Sequence, residues 1–154
     1  MKTLLATAGA LALLTISMTN AADMKPAADA VSPLLAPWVG PYGGVPPFDQ
    51  VKVVDLKPGL ETGMAQQLAE IDRIANDPAA PTFENTIAAM ERTGRTLDRV
   101  GTVYGIYSST LNDEVVQAVE REMAPKLAAF SDQITQNPQL FERIAKVYET
   151  RETS

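Results

Sequence analysis

The side chains that could do chemistry in this chain are carboxylates, arginines, lysines and tyrosines. The 154 residues include no histidine and no cysteine. Their absence excludes disulfides, thiolate nucleophiles, and both serine–histidine and cysteine–histidine catalysis. The commonest zinc ligands are missing as well. Catalysis by these residues alone would therefore have to depend on carboxylates.

Acidic and basic residues recur at the i, i+4 spacing of a helix. The pairs are Glu91 with Arg95, Glu122 with Lys126, and Glu142 with Lys146. Such pairs are typical of solvated helix surfaces, where each stabilises the helix by about 0.2–0.5 kcal/mol. General acid/base catalysis would need a cleft around them, which the sequence does not indicate.

Three further groups of residues could bind a ligand, and each has a structural alternative. Glu84, Glu91 and Asp98 share one face of a helix, yet an oxygen-ligand cation site needs ligands that converge from loops. A polar outer face is the favoured interpretation. Tyr104 and Tyr107 could reach a ligand, although tyrosines at this spacing are more often core residues. The GPYGG sequence at 40–44 lacks the strand–loop–helix context and the motif of a phosphate-binding loop.

Composition narrows the class of protein. The length indicates one domain at most. The net charge of −6 argues against nucleic acid as a partner and against an anionic membrane surface. Lys2, the apolar run from Leu4 to Ile16, and small residues up to Ala22 together predict a signal peptide over residues 1–22. The sequence thus predicts an exported, periplasmic chain that has no membrane contact after cleavage.

A tether and an extended segment rich in proline, glycine and aromatic residues are predicted over residues 23–54. In this segment, which we call the strap, the prolines favour extended backbone. We expect Trp38, Tyr42 and Phe48 to be structural anchors that pack the strap onto the helices. A short strand at 51–54 is possible, but the sequence offers it no partner.

The region 55–154 predicts an all-α fold with four helices. Asp55 is the expected first N-cap, with Pro58 in the first turn, and Thr82 caps a long second helix that continues to Ser108. Asn112 or Asp113 caps the third, which Pro125 should kink or break. Asn137-Pro138 opens the fourth. Apolar residues recur at spacings of three and four in each.

The second helix shows two features that suggest further neighbours. Gly94 and Gly101 lie on its apolar seam, where they would permit close helix packing at a propensity cost of about 0.8–1 kcal/mol each. Its second half, from Leu97 to Tyr107, is apolar over a wide arc, as in helices buried on several sides. Both features suggest that the chain is part of a larger protein.

Three stretches resemble the amino-terminal region of bacterial peptidyl-dipeptidases, zinc metallopeptidases related to thimet oligopeptidase and oligopeptidase A. They are PLLAPWVGPYGGVPPFDQVKV at 33–53, LAEIDRIANDPAAPTFENTIAAMERTGRTLDRV at 68–100, and VEREMAPKLAAFSDQITQNPQLFERI at 119–144. The phrase PAAPTFENTI is the most specific part. The resemblance covers nearly the whole chain after residue 22.

The resemblance implies an all-helical fold with a deep channel and a zinc ion held by an H-E-x-x-H helix and a downstream glutamate. Such enzymes act on short peptides and release C-terminal dipeptides. This chain has no histidine, so none of the family's catalytic or metal-binding residues can be assigned to it, and no cofactor is expected on it. The implied role is that of channel-wall scaffold, with a C-terminal catalytic portion as its partner. The alternative is a free-standing periplasmic helical module that binds peptides or acts as a chaperone.

Overall fold

The computed structural model describes residues 32–41 and 44–152, and these residues form an all-α structure. The predicted signal peptide, most of the tether, and Tyr42 lie outside the described residues. The helical segments are listed in chain order: α1 Val53–Ala75, a π-helical segment π1 Phe83–Ala88, α2 Ala89–Glu91, α3 Arg95–Thr110, α4 Glu114–Thr135 and α5 Pro138–Glu149. The predicted all-α class with four long helices is confirmed.

Helix α1 begins earlier than the sequence predicts. Its N-cap is Lys52, whose backbone N–H donates to the Asp55 carboxylate at 2.9 Å. Asp55 is therefore the third helical residue, where it completes a capping box instead of being the N-cap, and Pro58 lies beyond the first turn. The possible strand at 51–54 is also wrong, because the chain is already helical from Val53.

The main core lies where α1 crosses α3 and α4, and the strap adds Leu34 to it. Its buried members are Leu34, Val51, Leu56, Leu60, Met64, Val100, Val103 and Met123. Val100 and Val103 are fully buried, and Tyr107 donates its hydroxyl to the Val51 carbonyl at 3.2 Å. The apolar arc of α3 is therefore covered in part: Leu97, Tyr104 and Tyr107 are half-buried against this core and Ile106 is exposed, so the expectation of further neighbours stays a prediction.

Close packing between α1 and α3 depends on glycines of α1. A Cβ added to Gly63 would lie 2.9 Å from the Leu97 Cα atom, whereas a Cβ on Gly101 would meet nothing within 4 Å. The prediction that Gly101 allows a close approach is therefore wrong. The crossing is set by a position that the sequence pattern of α1 did not single out.

The predicted long second helix is interrupted. Thr82 caps it as expected, since its hydroxyl accepts from the Asn85 N–H at 3.1 Å. The chain then passes through π1 and α2 before Gly94 adopts a left-handed conformation, with φ of 77°, ahead of α3. The Gln67 side chain lies close to Gly94. A Cβ added to Gly94 would be only 2.5 Å from it. Gly94 thus separates two helices instead of lying within one.

The last two helices begin where the sequence indicates. Asp113 accepts from the N–H groups of Val115 and Val116 at 3.0 and 2.9 Å, and Asn137 accepts from Leu140 N–H at 2.9 Å. Pro125 does not break α4, which is continuous. No helix within the described part of the chain has the length and apolar character needed to cross a membrane.

Candidate functional site

A buried arginine joins α5 to the loop between α1 and π1. Arg143 is only 6% exposed. Its Nη1 donates to the backbone carbonyls of Asp77 and Ala79 at 2.7 and 3.1 Å. Its Nη2 donates to Asn85 Oδ1 at 3.1 Å and lies 3.7 Å from the Asp77 carboxylate. We call these contacts the Arg143 junction.

Asn85 connects this junction to the start of π1. Its Oδ1 also accepts from the Thr82 N–H at 2.8 Å and from the Thr86 hydroxyl at 3.0 Å, while its Nδ2 donates to the Ala80 carbonyl at 2.9 Å. The segment PAAPTFENTI, in which the family resemblance is most specific, therefore folds around Arg143. The polar side chains of this segment form hydrogen bonds mainly with backbone groups. They are not arranged as a catalytic acid, base or nucleophile would need to be.

An open cleft of about 500 Å³ lies beside the junction. Glu70, Arg73, Asp77, Glu84 and Arg92 contribute its charged lining. Three of these charges are already engaged, because Arg92 pairs with Glu84 at 2.8 Å and Glu70 accepts from the Gly94 N–H at 2.8 Å. The cleft is thus a mixed-charge surface and does not present converging catalytic carboxylates.

A second cavity, of about 510 Å³, lies between the start of π1 and the end of α5. We call it the Phe83 groove, and its lining includes Pro81, Phe83, Val147 and Arg151. The Phe83 side chain is 64% exposed. The Arg151 guanidinium lies 3.9 Å from the centre of the Tyr148 ring and its Nη1 donates to the Tyr148 carbonyl at 2.7 Å. The lining of this groove is mostly apolar and also includes the charged residues Glu84 and Arg151.

The ionic network of the structure joins α1 to α4. Glu122 pairs with Lys57 at 2.5 Å and with Lys126 at 3.2 Å, and Lys126 also pairs with Glu61 of α1. Hydrogen bonds from Lys57 and then Lys126 lower the pKa of Glu122. The hydrogen bond to Glu61, followed by that to Glu122, raises the pKa of Lys126. Each shift favours the charged form, as expected for structural ion pairs.

Of the three i, i+4 pairs predicted from the sequence, Glu122 with Lys126 is the one that forms an ion pair in the structure. Glu91 ends α2 while Arg95 begins α3, so the break at Gly94 separates them. Lys146 instead bonds Glu149 at 2.9 Å, and this bond is the main cause of its raised pKa, with Glu142 a weaker influence.

The other candidate ligands do not gather into a site. Glu84, Glu91 and Asp98 belong to three separate segments, π1, α2 and α3. Within residues 32–41 and 44–152, no three acidic side chains stand close enough to hold a metal ion. Because the chain also lacks histidine and cysteine, its residues do not fit the zinc ion that the family resemblance implies.

The strap residues take different positions. Trp38 packs against the main core, next to Leu34 and Leu35 of the same segment. Phe48 is 41% exposed, and Tyr42 lies outside the described residues. The anchoring role of Trp38, Tyr42 and Phe48 stays a prediction.

Sequence reasoning missed Arg143 altogether, since an arginine between Glu142 and Ile144 carries no local sign of burial.

The described residues form an all-α structure, without a grouped set of catalytic side chains among them. No family model matches the chain. It is 34% identical over 122 residues to a dipeptidyl carboxypeptidase of Salmonella typhimurium. This match covers 79% of this chain and 18% of that protein. It is 33% identical over 123 residues to a dipeptidyl carboxypeptidase of Escherichia coli, covering 80% of this chain and 18% of the relative.

The resemblance to the peptidyl-dipeptidase family is therefore confirmed. Over the matched region, the chain is related to the dipeptidyl carboxypeptidases. It spans less than a fifth of the length of the curated relatives that it matches, 18% in each case.

Proposed function

We propose that this chain is the amino-terminal scaffold region of an exported zinc metallopeptidase of the peptidyl-dipeptidase type. The parent enzyme would hydrolyse short peptides and release dipeptides from their C-termini. The observation that carries this proposal is the identity of 33–34% over about four fifths of the chain to two dipeptidyl carboxypeptidases. The helices α1 to α5 would form part of the wall around the substrate channel.

Catalysis and zinc binding are assigned to the rest of the parent protein. The chain lacks histidine, so the H-E-x-x-H motif and its zinc ligands would lie outside these 154 residues. The remaining carboxylates and arginines act in structural contacts such as the Arg143 junction and the Glu122 network. The 154-residue chain by itself is therefore expected to be inactive.

Export is supported by the sequence of the first 22 residues. Lys2, the apolar run that follows, and the small residues before Asp23 match the pattern of a cleaved signal peptide. The parent enzyme would then act on peptides in the periplasm. The test is to purify the mature protein from a cell envelope extract and to identify its amino-terminal peptide by mass spectrometry. Cleavage after Ala21 or Ala22 is expected.

The coding sequence downstream of Ser154 provides a direct test. An open frame that continues into an H-E-x-x-H helix would support the scaffold proposal. A stop codon at this point, found again in independent isolates, would contradict it and would favour the free-standing peptide-binding module.

A chimaera tests the proposal at the level of activity. The segment of the Escherichia coli dipeptidyl carboxypeptidase that matches this chain is replaced by the corresponding residues of this chain. We expect the chimaera to release dipeptides and to lose activity on chelation. The matched control is the isolated 154-residue chain, for which we expect no hydrolysis with added zinc. An insoluble or inactive chimaera, or chelator-sensitive hydrolysis by the isolated chain, would contradict the proposal.

A further inference from the structure

The Phe83 groove is an apolar surface whose walls are held in place. Phe83 follows the Thr82 N-cap, and the Thr82 N–H donates to the same Asn85 oxygen that accepts from Arg143. Val147 and Arg151 supply the opposite side from the end of α5. Because the Arg143 junction ties π1 to α5, the two walls of the groove are fixed relative to each other before anything occupies it.

Phe83 is exposed at the start of π1. This position tolerates polar residues, and Glu84 beside it is also exposed. A phenylalanine that is 64% exposed beside a cavity of about 510 Å³ leaves apolar surface in water, at a cost of roughly 25 cal/mol per Å². Exposed apolar patches rimmed by polar residues are typical of surfaces that bind another protein segment.

The lengths of the relatives indicate a source for such a segment. The chain spans 18% of each relative that it matches, so a protein of their length would contain a polypeptide several times larger to pack against this region. A covering segment with an apolar side chain would fill the groove. The charges of Glu84 and Arg151 would stay at the rim, an arrangement typical of well-packed interfaces.

We propose that the Phe83 groove is the docking site for an apolar segment from the remaining part of a dipeptidyl carboxypeptidase-length chain. This inference rests on the proposed function and adds to it the surface through which the scaffold joins the rest of the enzyme. Phe83 is the central contact, and the Arg143 junction presents it in a fixed position.

The experiment uses the chimaera described above, with Phe83→Ser and a matched control, Val115→Ser. Both residues lie in the first turn of a helix and are exposed, Val115 to 54%. We expect Phe83→Ser to make thermal inactivation of the chimaera about tenfold faster, as for loss of a central interface aromatic, while Val115→Ser leaves the rate unchanged. In the isolated chain, neither substitution should change the melting temperature.

A photoreactive benzoylphenylalanine at position 83 of the chimaera identifies the occupant. We expect cross-links to peptides from outside the matched segment, and none from the same group at position 115. Cross-links to residues within the matched segment, to a second copy, or to nothing would overturn the inference, as would an active chimaera that Phe83→Ser does not destabilise. An inactive wild-type chimaera would instead contradict the proposed function, and the inference with it.

Discussion

Arg143 shows how a charged residue can be structural in this protein. Burying a guanidinium is costly unless hydrogen bonds and a counter-charge compensate for lost hydration. Here two backbone carbonyls, the Asn85 amide and the Asp77 carboxylate receive it. Three of these acceptors lie in the loop between α1 and π1 and the fourth in π1, so the arginine attaches both to α5.

Substituting Arg143 tests this role. Arg143→Met keeps much of the apolar stem but leaves its acceptors without a charged donor, so we expect a loss of at least about 2 kcal/mol in the free energy of unfolding. Arg73→Met, at an exposed position on α1, is the control and should stay within about 0.5 kcal/mol of wild type. Urea unfolding measures both. Equal effects would show that Arg143 does not hold the junction.

Glycines at two helical positions should respond to alanine with opposite signs. At Gly63 a Cβ would lie 2.9 Å from the Leu97 Cα, so Gly63→Ala must push α1 and α3 apart. We expect a loss of about 1–3 kcal/mol, as for overpacking in a core. At Gly101 a Cβ meets nothing within 4 Å, and Gly101→Ala should stabilise the helix by about 0.5–1 kcal/mol. Thermal unfolding of the two variants compares them, and a stabilising Gly63→Ala would exclude a tight crossing.

At the scale of the elements, local signals determine how much the sequence can predict. Thr82, Asp113 and Asn137 bond N–H groups two or three residues away, so their capping role is visible in sequence. At the interruption, the Gly94 N–H donates to Glu70 and Gln67 lies close by, and both of these residues are distant in sequence. An apolar pattern that continues through Gly94 therefore predicted one helix. The burial of Arg143 was missed for the same reason, since its acceptors lie 58 to 66 positions away along the chain.

The ion pairs between α1 and α4 predict how stability varies with pH. The pKa of Glu122 is lowered in the folded chain, chiefly by the Lys57 hydrogen bond. Its contribution should therefore be complete above the usual carboxyl pKa of about 4.3 and be lost as the pH falls through the lowered value. Urea midpoints of wild type and Glu122→Gln should differ at pH 7 and converge in acid.

High salt provides the control for the Glu122 comparison. The residue is exposed, so 1 M salt should reduce the difference between wild type and Glu122→Gln at pH 7. Glu114→Gln, at the start of α4 and outside this network, is the matched variant. A difference that grows as the pH falls would contradict the assigned shift.

On the scale of the whole described region, two clusters share one helix. The main core covers α1 from Leu56 to Met64, and a smaller cluster of Ile71, Ala75 and Leu140 covers its end. The smaller cluster and the Arg143 junction are what attach α5 to the rest. Since fewer buried apolar residues hold this end, α5 and π1 should open more easily than α1 and α3.

Native-state hydrogen exchange resolves this difference. We expect amides in the middle of α5 to exchange through an opening that costs less free energy than global unfolding, whereas the Leu56–Met64 amides of α1 exchange only on global unfolding. Arg143→Met should speed exchange in α5 and π1 and leave the α1 amides much less affected. In the active chimaera, by contrast, a segment covering the Phe83 groove should slow exchange in α5. Uniform protection across α1 and α5 in the isolated chain would mean that the two clusters unfold as one unit, and the Arg143 junction would then be part of a single core.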